Sequence, residues 1–305
     1  MKKKLGWNIA IIGAGKVGQV LGRVLVENGD RVVAVVSRTQ GSARRGGEFL
    51  QCRNYGVDLP LIPPAIDVVF ITTPHAAVEE VVRGLSELGG LPWKRISVCH
   101  ASGMMTAAVL APLHRKGACT FSFHPLQSFP HDFAPEDILP NVRGIYYGVD
   151  GSKRGIERAK QLARKLSGKV IEVSPGKRAY YHAACVVASN HLTALLAIVE
   201  TMYSRFGKKT PGFYTSFEPI ILATLSNIKR SSPKEALSGP VARGGVETVR
   251  EHFEAIREHS PELLPYFARM TEESIYLATK KRSIDNEQRR ALIKLVETYR
   301  TEFTH

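Results

Sequence analysis

The chain has 305 residues, 44% of them apolar, a length beyond the ~250–300 residues that one hydrophobic core supports, so two domains are expected. Its net charge of +14 is dispersed, with 16 basic against 12 acidic residues over 1–150 and 26 against 16 over the rest, which excludes the concentrated basic stripe of a nucleic-acid binder. Four scattered cysteines, Cys52, Cys99, Cys119 and Cys185, exclude a disulfide framework, a zinc site and a C-x-x-C redox pair, and no metal is expected.

The lysines at 2–4 read as a solvated terminus, and the apolar run behind them is too short for a secretory segment. No transmembrane span is expected, and the localisation expected is cytoplasmic. Residues 7–12 form an apolar strand that runs directly into Gly13, Ala14, Gly15, Lys16, Val17 and Gly18. Apolar residues then recur at 17, 20, 21, 24 and 25, the spacing of a helix with one buried face. In such a crossover the first glycine permits the turn, the second lets phosphates approach the backbone, and the third lets helix and strand pack closely. The helix N-terminus faces the anion, so a dinucleotide is expected here.

A second buried strand follows at 32–36. Where an NAD-binding chain would place an acid on the ribose hydroxyls, this one has Ser37, Arg38 and Thr39. A guanidinium matches a 2′-phosphate in shape and charge, so NADP is the expected cofactor. Strands at 67–72, 96–99 and 120–123 alternate with helical stretches such as 76–88, and a strand at 144–149, a helix at 153–166 and a strand at 169–173 complete the pattern. The fold class expected is α/β, a doubly wound, mostly parallel Rossmann sheet followed by an all-helical domain. Thr73 and Pro74 follow one strand, and His100 and Ser102 another, at the carboxyl edge where such sheets bind ligands. All four are expected around the nicotinamide. His124, Gln127 and Ser128 follow the next strand and either orient a polar substrate or form a structural turn.

Beyond residue 175 the strand signals stop, and the domains are expected at 1–175 and 176–305. His182, Ser189 and Asn190 interrupt an apolar helix at about 180–206, where buried polar groups are costly unless they meet a ligand or another helix. That helix is apolar around more of its circumference than one core face needs, so a homodimer through the C-terminal helices is expected. Arg243, in a small-residue turn before a helix, is a candidate clamp for a substrate carboxylate. Ser260 with Pro261, and Asp285 with Gln288, mark helix starts.

Taken together, the glycine turn, CHASG at 99–103, FHPLQSF at 123–129, YHAACVVASN at 181–190 and SGPVARG at 238–244 resemble the bacterial Rossmann-like proteins whose C-terminal helical domain long carried an unknown-function label. That group is similar to the superfamily of 6-phosphogluconate and 3-hydroxyacid dehydrogenases, ketopantoate reductases and pyrroline-5-carboxylate reductases. The resemblance implies an NADP-dependent reductase of ketopantoate type with a helical dimerisation domain. Gly245 and Ser238 stand where the family has an aspartate and a threonine.

The reaction expected is hydride transfer from NADPH to a small carbonyl substrate, such as a 2-oxoacid, in an interdomain cleft. His182 is the first candidate for general acid and His124 the second, with Asn190 and Ser189 positioning the carbonyl oxygen. Imine reduction and a non-catalytic NADP-binding sensor are the alternatives.

Overall fold

The computed structural model describes residues 6–206 and 212–301, so the lysines at 2–4 lie outside the described residues. The chain divides into two compact units, one ending at His191 and the other beginning at Leu192.

The first unit is built on one sheet of eight strands: β1 (Asn8–Ile12), β2 (Arg31–Val36), β3 (Tyr55–Gly56), β4 (Val68–Ile71), β5 (Ser97–His100), β6 (Cys119–Pro125), β7 (Tyr146–Gly151) and β8 (Lys169–Glu172), in the order β3-β2-β1-β4-β5-β6-β7-β8. All neighbours run parallel except β6 and β7. The helices of this unit are α1 (Lys16–Glu27), α2 (Gln40–Phe49), α3 (Val78–Glu87), α4 (Ala111–Arg115), α5 (Pro135–Ile138), α6 (Lys153–Lys165) and α7 (Arg178–Val186). Both faces of the sheet are covered, which is why its central strands read as unbroken apolar runs. Ile9 and Ile11 of β1 point into one buried cluster with α1, while Ala10 and Ile12 point into another that includes Val78, Val82 and Leu85 of α3. Phe123 stacks on Tyr147 at 4.3 Å and meets Phe70 edge-on, tying β6 to β7 and β4.

The strand–turn–helix order of 7–25 is as expected, and the doubly wound sheet is present. β3 has no signature in the sequence, because two residues are too few for any period. The first unit also continues past the boundary expected at 175. Arg178, the first residue of α7, is fully buried and donates to the carbonyls of Ser102 and Gly103, which binds that helix to the sheet's loops.

The second unit contains α8 (Leu192–Phe206), α9 (Phe213–Arg230), α10 (Pro233–Ala236), α11 (Val246–His259), α12 (Leu264–Lys281) and α13 (Asn286–Thr301). Its core gathers α11, α12 and α13 around Phe253, which stacks on Tyr299 at 4.7 Å. Asp285 and Gln288 form the expected reciprocal cap, with Gln288 N donating to Asp285 Oδ1 at 2.8 Å and Asp285 N to Gln288 Oε1 at 3.0 Å.

The helical run Pro175–Phe206 is, by length and composition alone, long and apolar enough to cross a membrane. The reason is that no Asp, Glu, Lys or Arg stands between Arg178 and Glu200.

Candidate active site

At the carboxyl edge of β1, Gly13 has φ +103°, and a Cβ there would lie 2.6 Å from Thr73 N and 2.7 Å from Thr72 C. Only glycine fits both the turn and that approach. At Gly18 a Cβ would meet Gly13 O at 2.4 Å and Thr72 Oγ1 at 2.5 Å, so α1 sits closer to the sheet than any side chain allows. Gly15 is different: it is exposed and a Cβ would meet nothing within 4 Å. It caps α1 without a side-chain acceptor, and the first turn of α1 carries no acid. The result is an open helix N-terminus whose N–H groups face outward, the arrangement that favours an anion. Ala14 is buried, Lys16 and Val17 are half-buried, and Gln19 Nε2 donates to Ala14 O at 2.6 Å.

Beyond β2, Ser37 is half-buried and Arg38 and Thr39 are exposed. Arg38 has no ion pair among the described residues, while Arg44 is tied to Glu48 at 3.1 Å. Thr39 caps α2, its Oγ1 accepting from Ser42 N at 3.3 Å. Thr73 carries a buried hydroxyl with no partner, and Pro74 beside it is exposed. An open α1 terminus, an unpaired Arg38 and an orphaned Thr73 hydroxyl on one edge of the sheet fit a dinucleotide.

His100, expected beside the nicotinamide, is instead 0% exposed. Its Nε2 lies 3.1 Å from Thr106 O, and burial, opposed by that carbonyl and aided by Arg178, lowers its pKa to about 4. It therefore shapes the loop that carries Ser102 and does not reach the surface. Ser102 Oγ accepts from Met105 N at 3.2 Å and lies 3.0 Å from His75 Nδ1.

The groups best placed for chemistry converge on Gly103. The position of a Cβ at that residue lies 2.9 Å from His124 Nε2, 3.0 Å from His182 Nε2 and 2.3 Å from His182 Cδ2. His124 Nδ1 is 3.0 Å from the Tyr181 hydroxyl, and burial first, then the charges of Arg178, His182 and His100, bring His124 down to about 4. Tyr181 is pushed up from its ordinary value, mainly by burial, and so remains the proton donor of that pair. Arg178 closes the base of the cluster: Nε donates to Gly103 O at 2.9 Å, Nη2 to Ser102 O at 3.2 Å, and the group lies 5.4 Å from the Tyr181 ring. Arg178 and Tyr181 escaped the sequence reading. Their signal was present as Arg178, Tyr181 and His182 at i, i+3 and i+4, one helical face.

Other candidates lie elsewhere. Ser189 and Asn190 fall in a π turn, Val187–His191, and are exposed, so the premise that they are buried is corrected. Gln127 and Ser128 are exposed beside a cavity of about 520 Å³ that also borders Phe133, where Gln127 Nε2 donates to Asn141 O at 2.6 Å and its Oε1 accepts from Ser128 N at 2.8 Å. Arg243 is exposed in the second unit, at the end of a 3₁₀ turn closed by Gly244 with φ +69°. No group of three or more His, Cys, Asp and Glu suited to a metal occurs among the described residues.

Residues 2–125 match the Rossmann-like domain family, and residues 145–274 match the domain of unknown function DUF2520. No curated protein matches the chain. Among solved structures, a Thermotoga maritima protein is 24% identical with TM-score 0.68, covering 90% of this chain and 99% of its own. A proposed NADP oxidoreductase of Bacteroides fragilis is 20% identical with TM-score 0.64, covering 97% and 98%. A pyrroline-5-carboxylate reductase of Coxiella burnetii is 14% identical with TM-score 0.57, covering 95% and 98%.

Proposed function

Because the chain joins a Rossmann-like domain to a DUF2520 domain, we propose that it is an NADP-dependent reductase of small carbonyl compounds, 2-oxoacids among them. The observation that carries the reading is the open, acid-free N-terminus of α1 at Gly15, with the unpaired Arg38 beyond β2. The name of the Bacteroides fragilis neighbour agrees with an NADP oxidoreductase, and that of the Coxiella burnetii neighbour agrees with a reductase but favours an imine as the group reduced.

The turn Gly13, Ala14, Gly15, Lys16 and Val17, with Gly18 packing α1 on the sheet behind it, would hold the pyrophosphate, Ser37, Arg38 and Thr39 would hold the adenosine phosphate, and Thr73, Pro74 and Ser102 would border the nicotinamide. NADPH, when bound, supplies a hydride to the carbonyl carbon. The proton for the carbonyl oxygen comes from His182, which faces Gly103 beside His124. At neutral pH His124 is uncharged, because its pKa is about 4. With Nδ1 accepting from Tyr181, it holds its own proton on Nε2, toward Gly103. His124 thus orients and His182 protonates. The partner is a second copy of this chain, met through the apolar surface of α8 and α9.

The test is His182→Ala assayed for NADPH oxidation across a 2-oxoacid panel. Loss of general acid catalysis lowers kcat by roughly 10²–10⁴-fold while NADPH affinity holds. Full turnover with an unchanged pH profile removes His182 from this role.

A further inference from the structure

On the opposite edge of the sheet from the glycine turn, a cavity of about 360 Å³ opens beside Ser97 and Cys119, the first residues of β5 and β6. Arg95, Arg154 and Arg158 line it. None of the three has an ion pair among the described residues. The single acid on the rim, Glu157, is engaged by Lys160 at 3.1 Å. Arg158 is held in place from three sides: Nε donates to the buried Ser97 hydroxyl at 2.9 Å, Nη1 to Gln161 Oε1 at 2.9 Å, and its guanidinium lies 4.0 Å from the Trp7 ring centre. Arg154 is pinned through Nη2 to Lys94 O at 3.1 Å.

A second, independent feature points the same way. α6 begins beside this cavity with Lys153 and Arg154, and its first turn holds no acid. Cations at a helix N-terminus oppose the helix dipole, so the local field is positive from two sources. Burial disfavours the charge on Arg158, with Asp67 opposing and Arg154 adding to it. The guanidinium groups of Arg154 and Arg158 repel one another across the cavity, and a bound dianion would relieve that repulsion. Planar guanidinium groups match the oxygens of a phosphate two at a time, which a lone carboxylate cannot use on three sides.

We propose that the Arg95–Arg154–Arg158 cavity is a second anion site that binds the phosphate group of a small molecule, separate from the dinucleotide edge. The phosphate comes either free or as a monoester. The inference does not rest on the proposed reductase activity.

The experiment is calorimetric titration of the full chain with inorganic phosphate at ionic strength fixed with KCl, in the presence and absence of NADPH. With NADPH saturating the dinucleotide edge, saturable phosphate binding is expected in the unsubstituted chain and weakened at least about tenfold in Arg95→Gln/Arg154→Gln. Both substituted residues are exposed, and the single variants give the same reading if the double variant melts early. In a Trp93→Phe background, phosphate should also change the emission of Trp7, on which Arg158 stacks. Glycerol phosphate binding more tightly than inorganic phosphate identifies a monoester as the ligand, and equal binding identifies free phosphate. Absence of saturable heat, equal affinity in the double variant, or succinate binding as tightly as phosphate overturns the proposal.

Discussion

A methyl group at Gly103 would lie 2.3 Å from His182 Cδ2 and 2.9 Å from His124 Nε2, so Gly103→Ala must displace one imidazole or the other. Misplacing a reacting group by an ångström costs about 10²-fold in rate, and turnover should fall by that order while NADPH affinity, measured by fluorescence, is retained. Equal loss of both would mean that the substitution disrupts the sheet edge and not the site. The two depressed histidines set a pH dependence as well. His100 and His124 titrate at about 4 against an ordinary 6.5, so both stay neutral in the folded chain while the unfolded chain takes up protons. Their stabilisation is complete above pH 6.5 and is lost as pH falls toward 4, by up to roughly 3 kcal/mol for the fully buried His100. Urea melts at pH 7.5 and 5 should show this drop, and His124→Asn should make it shallower. At this scale the sequence was legible where the need was a backbone need. Gly13 and Gly18 could be assigned because a positive φ or a missing Cβ has one residue-level solution. Arg178 was missed because its partners lie 75 and 76 residues away, although it shares one helical face with Tyr181 and His182.

α1 depends on one close approach, and that is where it should fail. Gly18→Val would drive a branched side chain into Gly13 O and Thr72 Oγ1, and Gly13 O is backbone that cannot turn aside. Overpacking of this kind costs about 1–3 kcal/mol, and the glycine turn would move with the helix. Expected are a lower melting temperature and loss of NADPH binding together; a variant that binds NADPH normally would contradict the packing role of Gly18. α13 makes a separate test, because its cap is reciprocal. Asp285→Ala should cost about 0.5–2 kcal/mol in chemical denaturation without touching nucleotide affinity. The elements read well from sequence where a period ran for several turns, as in α1 and α6, or where an apolar run was buried on both faces, as in β1, β2 and β4. They read poorly at the π turn Val187–His191, which widens the helix just where Ser189 and Asn190 stand. An ideal 3.6-residue period had assigned those two to the buried side.

At the scale of the whole chain, α8 and α9 of the second unit contain no buried residue among those described. Leu192, Ile220, Leu222 and Leu225 are exposed there, Ile220 by 64%. Exposed apolar surface of this sort marks an interface, and a second copy is the occupant consistent with the proposed dimer. Sedimentation should give a dimer at micromolar concentration, and Ile220→Glu/Leu225→Glu should give a folded monomer. A concentration-independent monomer in the unsubstituted chain would remove the dimer, and partition into vesicles without detergent would assign the surface to lipid. The most direct test of the account remains the nucleotide itself. Calorimetric titration of the chain and of Arg38→Gln with NADPH and NADH should show NADPH bound more tightly by the unsubstituted chain, with that preference reduced about tenfold or more once the guanidinium is gone. No heat with either nucleotide, or tighter binding of NADH, would contradict it.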